Sequence, residues 1–207
     1  MQPGEYLPLI AEQAGFLTMT VWNLRENEKL RRARRNPCVL APGDVVYIPE
    51  RRQKTVQAAT GRRHTFSVKR DALALRFAVF DFDNKPFEGV AAELTIEGDP
   101  LALTTDGRGV IEREIVGRPR NGALRIPSLG IDVVIAIGQL PPAAEESGWR
   151  ARLINLGYYR GAVDDSGEAA TKLWRWALEE FQCDFGLKVS GTADAATVAK
   201  LESVHGS

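Results

Sequence analysis

The sequence predicts a multidomain α+β chain: a β-α-α-β module, a small antiparallel β-sandwich, and a C-terminal three-helix bundle. Three observations carry this. Apolar residues recur at helical spacing up to residue 30 and again beyond residue 149, and between residues 73 and 137 they alternate with period two. Two stretches with neither period, 51–65 and 139–147, separate these regimes. The 207 residues, 44% hydrophobic and 26% charged, are ordinary globular material, and a core divided three ways is thin in each part.

The first module spans residues 1–50. Leu7, Leu9, Ile10 and Ala14 space one short helix and Val21, Trp22, Leu24 and Leu30 a second, while Val45–Pro49 reads as a closing strand. Ala41-Pro42-Gly43-Asp44 before it is turn chemistry, Pro presetting one backbone angle and Gly tolerating the next. Residues 51–65 form a basic linker. In residues 66–138, Leu73, Leu75, Phe77 and Val79 share a strand face, as do Val90, Ala92, Leu94 and Ile96, and Ile131, Val133, Ile135 and Ile137. Turns at Asp83–Pro86, Asp106–Gly109 and Asn121-Gly122 complete a sandwich. Residues 139–147 are a stiff Pro/Ala linker. Within 148–207, helices are marked by Trp149, Leu153 and Leu156, by Trp174, Leu178 and Phe181, and by Ala195, Val198 and Leu201. Glycines 157, 161, 186 and 191 act as stops, and Asp194 is the expected N-cap of the last helix.

Gly4-Glu5-Tyr6-Leu7, Ile10-Ala11 and Pro42-Gly43-Asp44-Val45-Val46-Tyr47-Ile48-Pro49 together resemble a LysM domain. The resemblance implies a groove lined by Gly4, Glu5, Tyr6 and the stretch from Asn36 and Pro37 to Leu40, holding either glycan or a docked protein. The stretch Asn27–Pro37 is longer and more charged than in a glycan-binding LysM. Leu156-Gly157-Tyr158-Tyr159-Arg160-Gly161, Ala177-Leu178-Glu179-Glu180-Phe181-Gln182, Gly186-Leu187-Lys188-Val189-Ser190-Gly191, Thr197 and Leu201 resemble the peptidoglycan-binding domain found beside cell-wall hydrolases. The middle segment is similar to Ig-like or carboxypeptidase-regulatory-like sandwiches. The arrangement resembles peptidoglycan-binding proteins associated with type VI secretion. The function so implied is non-enzymatic wall binding or targeting, carried by a secretion spike. The alternatives are a structural adaptor that docks a spike or effector protein rather than glycan, and a wall hydrolase.

The residues themselves bear on these readings. His64 and His205 lie in the basic linker and at the chain end, Cys38 and Cys183 lack a neighbouring base and read as small core residues, and no Cys-x-x-Cys or His-x-x-His spacing occurs. The expectation is no catalytic residue, no metal and no cofactor. Trp174 and Trp176 are about 200° apart around a helix, so one of them faces outward. Tyr158 and Tyr159, at a helix end, are either an aromatic platform or core staples. Residues 1–70 hold 13 Lys+Arg against 6 Asp+Glu and the remainder 14 against 21. That asymmetry suits an acidic protein surface, whereas the neutral total and the missing aromatic interleaving argue against nucleic acid. No apolar run reaches the length of a membrane span. The N-terminal residues carry no signal-peptide pattern, so synthesis is expected to end in the cytoplasm, with delivery to the periplasm by a secretion apparatus.

Overall fold

The computed structural model describes residues 5–53, 55–67, 72–81, 83, 85–116 and 119–206. The chain divides into two units, one of Met1–Leu7, Arg25–Val46 and Gln139–Ser207, the other of Pro8–Leu24 and Tyr47–Gly138.

Along the first fifty residues three short helices form, α1 (Leu7–Gln13), α2 (Thr18–Trp22) and α3 (Glu28–Arg34). The expected second helix over 21–30 is broken into α2, a 3-10 turn at Arg25–Asn27, and α3. Asn23 caps α2 and the buried Asn27 precedes α3, both residues whose side chains compete with helical hydrogen bonding. The β-α-α-β expectation is corrected here, because the segment Val45–Pro49 is not a strand. A strand needs a partner to satisfy its backbone, and among the described residues none pairs with this stretch, whose Val45 is 83% exposed. The residues that would supply that partner lead into α1, and Gly4 lies outside the described residues. The turn before it does form. Arg34 on α3 grips Asp44 with a two-pronged bond, Nε to Oδ2 at 2.7 Å and Nη2 to Oδ1 at 2.9 Å, and Asp44 Oδ2 also accepts the Ala41 N–H. Partial burial works to raise the Asp44 pKa, but the Arg34 fork and the Ala41 N–H outweigh it and hold the carboxyl below its ordinary range.

Among the described residues six antiparallel strands follow: β1 (Ala72–Ala78), β2 (Ala91–Ile96), β3 (Asp99–Thr104), β4 (Val110–Val116), β5 (Asn121–Ile126) and β6 (Ile131–Ala136). β1 pairs with β4 in one sheet, and β3-β2-β5-β6 is the order of the other. Val79, which follows β1, and Ile111 from the first sheet meet Ala92, Leu94, Leu124 and Ile126 from the second in one apolar core. The alternation places them there, since residues two apart share a face. Val133 departs from its pattern and is 46% exposed, because β6 is the last strand of its sheet and has less to pack against.

Three helices close the chain: α4 (Glu146–Asn155), α5 (Glu168–Asp184) and α6 (Ala195–His205). Leu153 from α4, Ala170, Trp174, Ala177, Leu178 and Phe181 from α5, and Leu201 from α6 share a core with Tyr159. The buried α5 residues follow the i, i+4, i+7, i+8, i+11 spacing of a single helix face. Gly157 and Gly186 end α4 and α5 in left-handed conformations, at φ of +88° and +63°. After each, the next N–H reaches back five residues, from Tyr158 to the Leu153 carbonyl and from Leu187 to the Gln182 carbonyl, a Schellman closure. Asp194 caps α6 as expected, its Oδ1 accepting the Thr197 N–H at 2.8 Å.

Candidate functional site

The loop after α4 turns its aromatic residues in different directions. Tyr159 stacks on Trp174, ring centroids 3.6 Å apart at 17°, and its hydroxyl donates to Asp165 Oδ2 at 2.7 Å. Trp149 meets Trp174 edge-on at 5.7 Å, and the Arg150 guanidinium lies 4.9 Å from the Trp174 ring centre. Arg150 Nη1 also donates to the Val163 and Asp165 carbonyls, so one cation ties helix, aromatic cluster and loop together. Tyr159 thus takes the core-staple alternative, and Trp174 is the tryptophan of the pair that faces inward. Tyr158 is half-buried, edge-on to Phe181 at 5.4 Å, and donates its hydroxyl to Asp184 Oδ2 at 2.8 Å. Burial first, then the Asp184 carboxylate, push its phenol pKa well up.

Trp176 is different. Two positions beyond Trp174 on α5, it points away from the core and is 51% exposed. Leu173, three residues back and on the same helix face, is 46% exposed. The Lys172 ammonium lies 4.7 Å from the Trp176 ring centre. A flat aromatic ring, an aliphatic neighbour and an exposed cation therefore occupy one solvent-facing patch.

The polar motif residues serve the fold. The Gln182 side chain is fully buried. Its Nε2 donates to the Thr192 carbonyl and Thr197 Oγ1, both at 2.9 Å, while its Oε1 accepts the Ser190 and Gly191 N–H groups. One amide thereby fastens the loop between α5 and α6 and the first turn of α6. Arg152, also fully buried, donates Nη1 to the Pro141 and Gly148 carbonyls and so pins the Pro/Ala linker. Neither role was foreseen from the sequence. The available signal was a polar side chain placed beside an otherwise apolar helical face.

In the N-terminal segment, the Leu7 N–H donates to the Pro37 carbonyl at 3.1 Å, which brings Glu5 and Tyr6 beside Asn36 and Pro37. Asn36 Oδ1 is occupied by the Cys38 N–H. Tyr6 is buried, so its ring offers no exposed platform, and Gly4 lies outside the described residues. Cys38 is partly buried, with burial pushing its thiol pKa up. Cys183, expected as a small core residue, is exposed on α5, off the buried stripe. Among the described residues no group of three or more His, Cys, Asp and Glu side chains is placed to hold a metal, and no helix is long and apolar enough to cross a membrane.

Residues 150–201 match the family model described as "Putative peptidoglycan binding domain". The matched segment runs from the first half of α4 through α5 into α6 and contains the Gln182 clamp, the Tyr158-Tyr159 loop and the Trp176 patch. No curated protein and no solved structure matches the chain. A peptidoglycan-binding domain in this position supports binding to the cell wall, with peptidoglycan as the partner.

Proposed function

We propose that the protein is a non-enzymatic wall-binding or targeting protein whose contact with peptidoglycan is made by Trp176 and its neighbours on α5. The observation that carries this is the exposed indole inside the matched segment, since the other aromatic side chains that the sequence offered there are committed to packing or to hydrogen bonds. A sugar ring presents flat C–H faces that stack on an indole, and Leu173 extends that apolar strip. Lys172 covers one face of the ring in the free protein, and displacing it costs about 0.5–1 kcal/mol. Once displaced, its ammonium is free to meet a carboxylate of the polymer.

Co-sedimentation with insoluble peptidoglycan, at low and high salt, tests the reading. Trp176→Ala should reduce retention about tenfold without unfolding the chain, because an exposed anchor carries binding and little stability. Tyr158→Phe, which removes only the bond to Asp184, should leave retention unchanged. Equal retention of the Trp176→Ala variant and the parent would sink the proposal.

A second reading fits the N-terminal segment better than glycan does. Tyr6 is buried, and the exposed Arg35 that follows α3 lies next in sequence to the paired Arg32 and Arg34, a surface suited to an acidic protein such as a secretion spike or its effector. Delivery to the periplasm by a type VI apparatus belongs to the wall-binding reading, whereas this one needs only the docked protein. Replacing Arg35 with Glu should then abolish a salt-sensitive protein complex and leave peptidoglycan retention intact.

A further inference from the structure

A cleft of about 460 Å3 lies between Phe16, Tyr47, Pro49, Glu50 and Arg52, none of them among the residues assigned above. Its two walls are fastened to one end of α1. On one side the Phe16 N–H donates to the Ala11 carbonyl at 2.8 Å and the Gly15 N–H to the Glu12 carbonyl at 2.9 Å, which closes the helix and fixes the Phe16 turn. On the other side Arg51 reaches across to the same helix end, Nε donating to the Ala14 carbonyl at 2.6 Å and Nη2 to the Gln13 carbonyl at 3.0 Å. The Arg51 side chain is spent on α1, while Glu50 and Arg52 on either side of it line the cleft. The helix-end turn and the Arg51 side chain thus hold the two sides of this open cleft together.

Its chemistry is narrow. Two aromatic rings and a proline supply the apolar surface, and one carboxylate and one guanidinium supply charges of opposite sign. A bare glycan has no charge for either ionic group, and a polyanion would be repelled by Glu50 as much as it is drawn by Arg52. A ligand that satisfies both carries an ammonium and a carboxylate separated by a short aliphatic body. We propose that this cleft binds a short zwitterionic peptide of the kind displayed on the wall polymer, with its ammonium toward Glu50, its carboxylate toward Arg52 and its aliphatic side chains against Phe16 and Tyr47. The source of the peptide rests on the peptidoglycan reading, whereas the chemistry of the cleft does not.

Isothermal titration of the full chain with D-alanyl-D-alanine, its N-acetyl form and its C-terminal amide provides the test. Glu50→Gln, Arg52→Gln and Tyr47→Ala are the variants, all at exposed positions. The free dipeptide should bind saturably. Acetylation should weaken binding about threefold in the parent and not in Glu50→Gln, and amidation likewise in the parent and not in Arg52→Gln, as expected for pairs near the surface. Tyr47→Ala should cost about tenfold. Absence of saturable binding, or penalties for acetylation and amidation that persist in the variants, would overturn the assignment even if the chain still sediments with peptidoglycan. Dipeptide binding without sedimentation would overturn the wall polymer as its source, and with it the proposed function.

Discussion

At the scale of single residues the chain separates side chains that build the helical module from those free to contact a partner. Gln182 belongs to the first kind: its amide bonds the Ser190 and Gly191 N–H groups, the Thr192 carbonyl and Thr197 Oγ1 at once. Gln182→Ala should destabilise the protein by about 2–4 kcal/mol, since the Ser190 and Gly191 N–H groups lose their acceptor and Thr197 Oγ1 a donor. Urea denaturation followed by tryptophan fluorescence measures this, and Trp176→Ala in the same assay should change stability by less than about 0.5 kcal/mol. A small effect of Gln182→Ala would mean that the motif glutamine is kept for contact rather than for fold. Which of the two tryptophans faces out was readable in principle, because Ala170, Trp174, Leu178 and Phe181 keep one helical face and Trp176 falls off it. Whether a tyrosine at a helix end is free was not, because the answer lies in partners such as Asp184 that are 26 positions away.

Secondary-structure elements show where local pattern suffices. α5 and the strand around Leu94 follow from spacing alone, since a stripe or an alternation already names the buried face, whereas Asn121-Gly122, expected as a turn, opens β5 instead. The segment Val45–Pro49 has strand composition and is no strand, because a ladder needs a second strand and composition cannot supply one. α4 depends on a close approach that is invisible in its apolar pattern. A Cβ added to Gly148 would collide with the Pro142 carbonyl oxygen, so Gly148→Ala must push the linker off the helix and strain the Arg152 bond to Pro141. The expected cost is about 1–3 kcal/mol, seen as a lowered thermal midpoint. α6 carries a pH dependence. Its His205 has a pKa held below the ordinary value by burial first and then by the Arg152 guanidinium, and its Nε2 lies 3.0 Å from Asn155 Nδ2. A histidine with a depressed pKa binds more protons unfolded than folded, so its contribution is complete above about pH 6.5 and is lost as pH falls through the lower folded-state value. His205→Gln should flatten the loss of stability between neutral and mildly acidic pH. An unchanged acid limb would show that other groups govern it.

Over the whole molecule, periodicity is local and association is not. The three regimes of spacing are readable, yet nothing in them groups Met1–Leu7 and Arg25–Val46 with Gln139–Ser207. The groups that meet within that unit, such as Arg34 Nη1 and Glu145 Oε1 at 4.0 Å, come from opposite ends of the sequence. Charge behaves similarly: the total is zero and the sequence pI about 6.8, while residues 1–70 carry 13 Lys+Arg against 6 Asp+Glu. A molecule without net charge gains little long-range attraction to an anionic polymer, so retention on peptidoglycan through an indole should change less than about twofold between low and physiological ionic strength. Contacts made through the basic front portion should instead weaken steeply over the same range, because exposed ion pairs are screened. Sedimentation across a salt series, with Trp176→Ala and a charge-reversed Arg35→Glu in parallel, separates the two surfaces. A flat response abolished by Trp176→Ala assigns wall binding to α5, whereas a steep response abolished by Arg35→Glu transfers it to α3 and reduces the helical module to a scaffold.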